Sequence, residues 1–182
     1  FAEADSVVIE VDMDKDIVKK VVQLCEKYER KLYGVVSNMS IAMERRDLLQ
    51  KFDCFICNQQ EAGMFFSDDY SEKSQKELQE ILAGCLKNGN IPSMVVTMGG
   101  QGAVFADKNG LRGFCPARNV QVKDTTGAGD SFCAGVASGL TYGNTLEEAV
   151  AIGTRLAASV ITSSENVCPR FLPAELGITE QV

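Results

Sequence analysis

Short β-branched runs alternate along this chain with longer stretches whose apolar residues recur every three or four positions. Ser6-Val-Val-Ile-Glu-Val11 is the first run and predicts a strand. Asp12 to Arg30 follows, with Ile17, Val18, Val21, Val22, Leu24 and Cys25 at helical spacing and charge on the other face. Leu32 to Ser37 predicts a second strand, Ile41 to Lys51 a helix, and Asp53 to Cys57 a third strand. Glu61 to Phe66 predicts a short helix. Ser71 to Lys87 predicts a longer one, with Leu78, Ile81, Leu82 and Leu86 on one face and Asn88-Gly-Asn as its stop.

Ser93 to Met98 predicts a strand entering the turn Gly99-Gly-Gln-Gly102. Ala103–Ala106 and Leu111–Cys115 flank Asp107-Lys-Asn-Gly110, and Asn109-Gly110 is a hairpin signal because both residues tolerate positive φ. Val120-Gln-Val122 reads as a further strand. Ala128 to Tyr142 and Thr145 to Ser163 read as two helices rich in small apolar residues. Repeated strand–helix units imply a mainly parallel sheet covered on both faces, a three-layer doubly wound α/β fold with a hairpin near 103–115. No internal repeat or linker interrupts residues 1–182, so one domain is expected.

Composition narrows the function classes. The chain has 182 residues, 45% hydrophobic and 24% charged, which is ordinary for a globular protein. Its formal charge of −7 opposes non-specific binding to nucleic acid or to an anionic membrane. No apolar stretch approaches the roughly 20 residues that span a bilayer. No basic segment followed by an apolar one opens the chain, so no signal peptide is expected. Seven Cys, an odd number scattered through apolar segments, point to reduced thiols and a cytoplasmic location. Cys54-Phe-Ile-Cys57 has the Cys-x-x-Cys spacing, but the chain has no His and both thiols sit inside a predicted strand, so a structural role is expected. Without His, acid–base chemistry must use Asp, Glu, Lys, Tyr or Cys.

Lys123-Asp-Thr-Thr-Gly-Ala-Gly-Asp130 carries the most chemistry. Gly127 and Gly129 allow backbone conformations that a Cβ resists and let the chain approach a ligand closely. A helix opening there presents free amides and its dipole to an anion. Asp130 falls in the first helical turn, beside that anion. A plain strand-to-helix turn with a capping Asp would use the same residues. Two look-alikes fail on spacing. A Walker A loop needs a Gly-Lys pair, which is absent, and a dinucleotide fingerprint needs Gly where Phe132 stands.

The run Asp124-Thr-Thr-Gly-Ala-Gly-Asp130 resembles the C-terminal signature of the PfkB carbohydrate kinases, the family of ribokinase and adenosine kinase. Asn58-Gln-Gln-Glu61 resembles the family's Asn-x-x-Glu motif, and Thr97-Met-Gly99-Gly-Gln-Gly102 its Thr-x-Gly-x-x-Gly turn. Gly153 to Val160 is similar to its late Ala-rich helix. The loop after it, Thr162-Ser-Ser-Glu-Asn166, lacks the Lys-Gly-Ala often found there. The resemblance implies a ribokinase-like fold and ATP-dependent phosphorylation of a small sugar or nucleoside. It implies Asp130 as catalytic base, with an anion hole at Gly127, Ala128 and Gly129. Thr97, Gly99, Gly102, Asp124, Thr126 and Asn166 would face the nucleotide. Asn58 and Glu61 would place Mg²⁺, and many members also take a monovalent cation such as K⁺. The resemblance further implies an N-terminal sugar-binding and lid region that these residues do not include, and it allows a homodimer. A nucleotide-binding module without catalysis and a plain α/β scaffold stay open as alternatives.

Overall fold

The computed structural model describes residues 1–36, 43–44, 46–164 and 172–178. They pack as two compact units, one of Phe1–Met98 with Val104–Phe114, the other of Gly99–Ala103 with Cys115–Val182. A six-stranded sheet runs in the order β1 (Ser6–Glu10), β2 (Lys31–Val35), β3 (Cys54–Asn58), β4 (Ser93–Thr97), β5 (Gly102–Asp107), β6 (Arg112–Pro116). The first four strands are parallel, with Ser6 opposite Lys31, Tyr33 opposite Cys54 and Asn58 opposite Thr97.

In the first unit, each of the first three strands is followed by a helix. Helix α1 (Lys15–Tyr28) starts where Asp14 accepts from the Asp16 amide at 2.8 Å and stops at Glu29 in the left-handed region, φ 53°. Arg46–Leu49 forms α2, a single turn inside the predicted 41–51 helix, whose residues 41, 42 and 45 lie outside the described set. Helix α3 covers Gln59–Phe66. Helix α4 (Gln75–Gly89) begins in a Ser74/Glu77 capping box and ends at Asn90, φ 49°. Both helices start away from the predicted positions, 61 and 71, because their capping residues set the boundary. Every crossover from β1 to β4 advances one strand in the same direction, so right-handed connections put α1, α3 and α4 on one face.

Val18, Val22 and Cys25 of α1 and Leu78, Leu82 and Leu86 of α4 are buried in one cluster with Phe52, Phe55 and Phe65. Burying each of these leucines contributes about 1.5–3 kcal/mol. Phe52 and Phe55 meet edge to face at 6.3 Å. Cys54 to Cys57 are all buried, as befits an inner strand of a parallel sheet. Burial pushes the Cys54 thiol up to about 12, and Cys57 is buried in the same strand, which suits the structural role expected of the pair.

The predicted hairpin is present. Asp107 accepts at Oδ1 from the amides of Asn109 and Leu111, at 2.8 and 2.9 Å, and Gly110 takes φ 103°. In the second unit, α5 (Ala128–Thr141) and α6 (Leu146–Ile161) pack through glycines. A Cβ on Gly135 would stand 2.7 Å from the Gly153 Cα, and one on Gly153 would stand 2.7 Å from the Phe132 carbonyl. A short 3₁₀ turn, Pro173–Leu176, precedes Ile178, which clusters with Ile152 and Leu156.

One predicted element is corrected. Val120–Val122 is not a strand; β6 ends at Pro116 and irregular chain follows. Val122 is exposed and the segment joins no ladder. Alternating Val and Gln suits a pleated surface only where a neighbouring strand supplies one. The segment is instead tied down at its end, where the Lys123 amide donates to the Ile161 carbonyl at 2.8 Å.

Candidate active site

In the first unit the parallel strands end at Asn58 and Thr97, which face each other across β3 and β4. Asn58 is the N-cap of α3. Its Oδ1 accepts from the Glu61 amide at 2.9 Å, and its own amide donates to Glu61 Oε2 at 2.7 Å. The Asn-x-x-Glu spacing therefore closes a capping box, which holds the two side chains in fixed relation. Thr97 Oγ1 donates to the Cys57 carbonyl at 3.5 Å, at the same strand ends.

Glu61 is half-buried and meets no cationic side chain among the described residues. Burial raises its pKa most. The Asn58 amide opposes that shift, and the nearby charge of Glu10 adds to it. A divalent cation would relieve both unfavourable contributions. No group of three or more carboxylate, thiol or imidazole ligands converges among the described residues. An amide oxygen and one carboxylate suit Mg²⁺, which keeps several waters and takes the rest of its ligands from phosphates.

In the second unit, Gly99–Gln101 forms one 3₁₀ turn, and Gly99 has φ 55°. Gly102 begins β5 at φ 129°, with its ideal Cβ position 2.1 Å from the Cys115 carbonyl. Close backbone packing alone therefore demands a glycine at 102. The Ala117 amide donates to the Gln101 carbonyl at 3.0 Å and fastens this turn to the chain after β6.

The loop from Asp124 to Asp130 orders itself. Asp124 Oδ1 accepts from the Thr126 amide at 2.9 Å and from the Thr126 hydroxyl at 2.8 Å. These bonds, the amide first, hold the Asp124 carboxyl below the usual range. Gly127 then takes φ 78°, ψ 0° as N-cap of α5, and no side chain caps the helix. The Ala128 amide donates to Thr125 O at 3.2 Å and Ser131 to Gly127 O at 3.0 Å. The amides of Gly127, Gly129 and Asp130 have no acceptor among the described residues. A Cβ at Gly129 would meet nothing within 4 Å. The Asp130 carboxylate is exposed in the first turn and makes no hydrogen bond or ion pair among the described residues. Free amides with a dipole behind them attract an anion, and an unpartnered carboxylate beside it can accept a proton.

Asn58, Glu61 and Thr97 thus come together in one unit, and Gly99, Gly102 and the 124–130 loop belong to the other. Asn166 lies outside the described residues. Two residues escaped the sequence reading. Glu10 acts on Glu61 through its charge, and Gln59 holds downstream carbonyls; its only signal was its place inside Asn58-Gln-Gln-Glu61.

Residues 1–169 match the model of the pfkB family carbohydrate kinases. Guanosine-inosine kinase of Exiguobacterium acetylicum is 37% identical over 172 residues, 93% of this chain and 56% of that protein. Adenosine kinase from Sinorhizobium meliloti superposes with a TM-score of 0.73 at 25% identity, over 91% of this chain and 51% of that one. Arabidopsis thaliana ribokinase, solved with ribose and ATP, gives 0.79 at 20% identity over 90% and 52%. This chain belongs to the pfkB family of carbohydrate kinases and has the α/β fold of ribokinase. It spans about half the length of the curated relatives it matches. Among the described residues no helix is long and apolar enough to cross a membrane.

Proposed function

We propose that this chain forms the phosphate-handling part of an ATP-dependent kinase whose acceptor is a nucleoside hydroxyl. The observation that carries the reading is the uncapped start of α5, where among the described residues the Gly127, Gly129 and Asp130 amides have no acceptor and the Asp130 carboxylate has no partner. Asp130 takes the proton of the acceptor hydroxyl as its oxygen attacks the γ-phosphorus. The bond from that phosphorus to the ADP oxygen breaks. The anion hole at 127–129 holds negative charge on the group in transfer, with the Ala128 amide fixing the turn through Thr125 rather than pointing out. Asp124 and Thr126 keep the loop in this shape. Asn58 and Glu61 would hold Mg²⁺, which when bound neutralises phosphate charge. Thr97, Gly99 and Gly102 border the nucleotide in this reading, with Asn166 beside the base and a monovalent cation such as K⁺ near the same loop.

A nucleoside is preferred over a free sugar because guanosine-inosine kinase is a relative at 37% identity across nearly the whole chain. We read residues 1–182 as one ribokinase-like domain of a longer enzyme, acting on small molecules rather than nucleic acid or membranes. None of the six described cysteines forms a disulfide, which suits a reducing cytoplasm. The test is phosphorylation of guanosine, inosine, adenosine, ribose and fructose by the full-length protein with Mg²⁺ and ATP. Turnover of the purine nucleosides above the sugars is expected. Thermal stabilisation by Mg²⁺ and ATP with no turnover of any acceptor would instead mark a non-catalytic nucleotide-binding module.

A further inference from the structure

We infer that Gln59 is a positioning residue for the Asn58–Glu61 pair, an assignment that rests on reading that pair as the metal site. Gln59 is the first residue of α3, and its side chain turns inward, half-buried, while Asn58 and Gln60 on either side are exposed. Its Nε2 donates to the Tyr70 carbonyl and, at 3.2 Å, to the Lys73 carbonyl. These acceptors lie 11 and 14 residues downstream, in the segment 67–74 between α3 and α4. That segment therefore doubles back along α3 as a strap whose far end reaches the helix's first turn.

The strap is anchored independently of Gln59. The Asp68 amide donates to the Gly63 carbonyl at 2.9 Å, and a Cβ on Gly63 would stand 2.6 Å from the Asp68 carbonyl. The Tyr70 ring is buried and lies 6.5 Å from that of Phe66. The Lys73 amide donates to the Tyr70 carbonyl at 3.0 Å, and the Ser74/Glu77 box starts α4. A fixed strap can thus serve as the frame against which Gln59 holds the helix start.

Such a frame is needed there. A helix of eight residues is marginal on its own, so its first turn depends on outside contacts. The capping box fixes Asn58 and Glu61 relative to each other but leaves the orientation of the whole turn unset. Gln59 supplies that orientation with both protons of one amide. Outer groups that aim metal ligands typically change metal affinity or activity about 10–100-fold when removed.

The experiment is a Mg²⁺ titration of the full-length protein with a fixed concentration of a non-hydrolysable ATP analogue, read by calorimetry and thermal shift. Gln59→Ala should raise the Mg²⁺ midpoint by about 10-fold. Gln59→Met keeps the side-chain length, removes the donor without adding charge and should raise it as much. It keeps the test informative if the alanine variant folds poorly. Gln79→Ala loses a similar amide–carbonyl bond in α4, to Gln75 at 3.2 Å, and should leave the midpoint unchanged. Glu61→Gln reports on the metal reading itself and should shift the midpoint. A shift with Glu61→Gln but a wild-type midpoint in both folded Gln59 variants would overturn the role of Gln59 alone. Wild-type midpoints in all three would overturn the metal reading and this assignment with it.

Discussion

Two helices in this protein begin beside the residues proposed for chemistry, and they begin in opposite ways. At Asn58 the start of α3 is closed, with the Asn58 and Glu61 side chains and amides satisfying each other. At Gly127 the start of α5 is open, with no side-chain cap and three amides that have no acceptor among the described residues. A closed start gives up anion affinity and gains a fixed pair of oxygen donors, which suits a cation. An open start keeps its dipole and donors for an anion. The difference comes from one residue type. Asn at the N-cap offers an acceptor to its own helix, whereas Gly offers none and instead supplies the left-handed φ that turns the amides out.

The largest effect is expected at the open start. Asp130→Asn in the full-length enzyme should lower kcat by about 10²–10⁴-fold with ATP affinity nearly unchanged, measured by steady-state kinetics and calorimetry. Normal turnover would remove Asp130 as the base. The two glycines next to it separate function from folding. Gly129→Ala meets open space, so the fold should hold or gain about 0.5–1 kcal/mol. Turnover should still fall by about 10²-fold, because the new methyl occupies the phosphate's approach. Gly127→Ala should lose about 1–2 kcal/mol of stability as well as activity, because a Cβ at φ 78° is strained. Equal melting temperatures for the two variants would contradict the loop geometry.

At the closed start, Asn58→Ala should cost about 0.5–2 kcal/mol through the lost cap, read from urea unfolding, and should weaken the Mg²⁺ response. The smallest effects are in the pH dependence, and they have opposite signs. The folded state holds the Asp124 carboxyl below its ordinary range, so Asp124 stabilises above about pH 4 and loses that contribution as pH falls through the depressed value. Asp124→Asn should flatten the acid limb of the stability profile. Glu61 is raised, so its ionisation weakens the fold as pH climbs from about 4.3 through the raised value. Metal-free Glu61→Gln should therefore melt no lower than wild type at pH 7, and lower than wild type once Mg²⁺ and nucleotide are added.

Much of the framework was legible along the chain. The four parallel strands, the hairpin at Asn109-Gly110 and the Leu78/Leu82/Leu86 stripe stand where the apolar rhythm puts them. The rhythm failed at Val120–Val122, because a strand needs a neighbour and the sequence cannot say whether one is there. It also misplaced the starts of α3 and α4, where capping boxes rather than apolar spacing set the boundary.

The sequence by itself determined what acts within a few residues. The Asp124–Thr126 bonds, the glycine start of α5 and the Asn58–Glu61 spacing all arise from side-chain types at short fixed offsets, where loop closure costs little. The tertiary structure decided everything that depends on where the chain returns. It brought the strap carbonyls of Tyr70 and Lys73 to Gln59, Glu10 near Glu61, and the Ile161 carbonyl to Lys123. Backbone carbonyls have no residue signature, so such contacts cannot be read from composition or spacing. They are fixed only when the packed core sets the path of each loop.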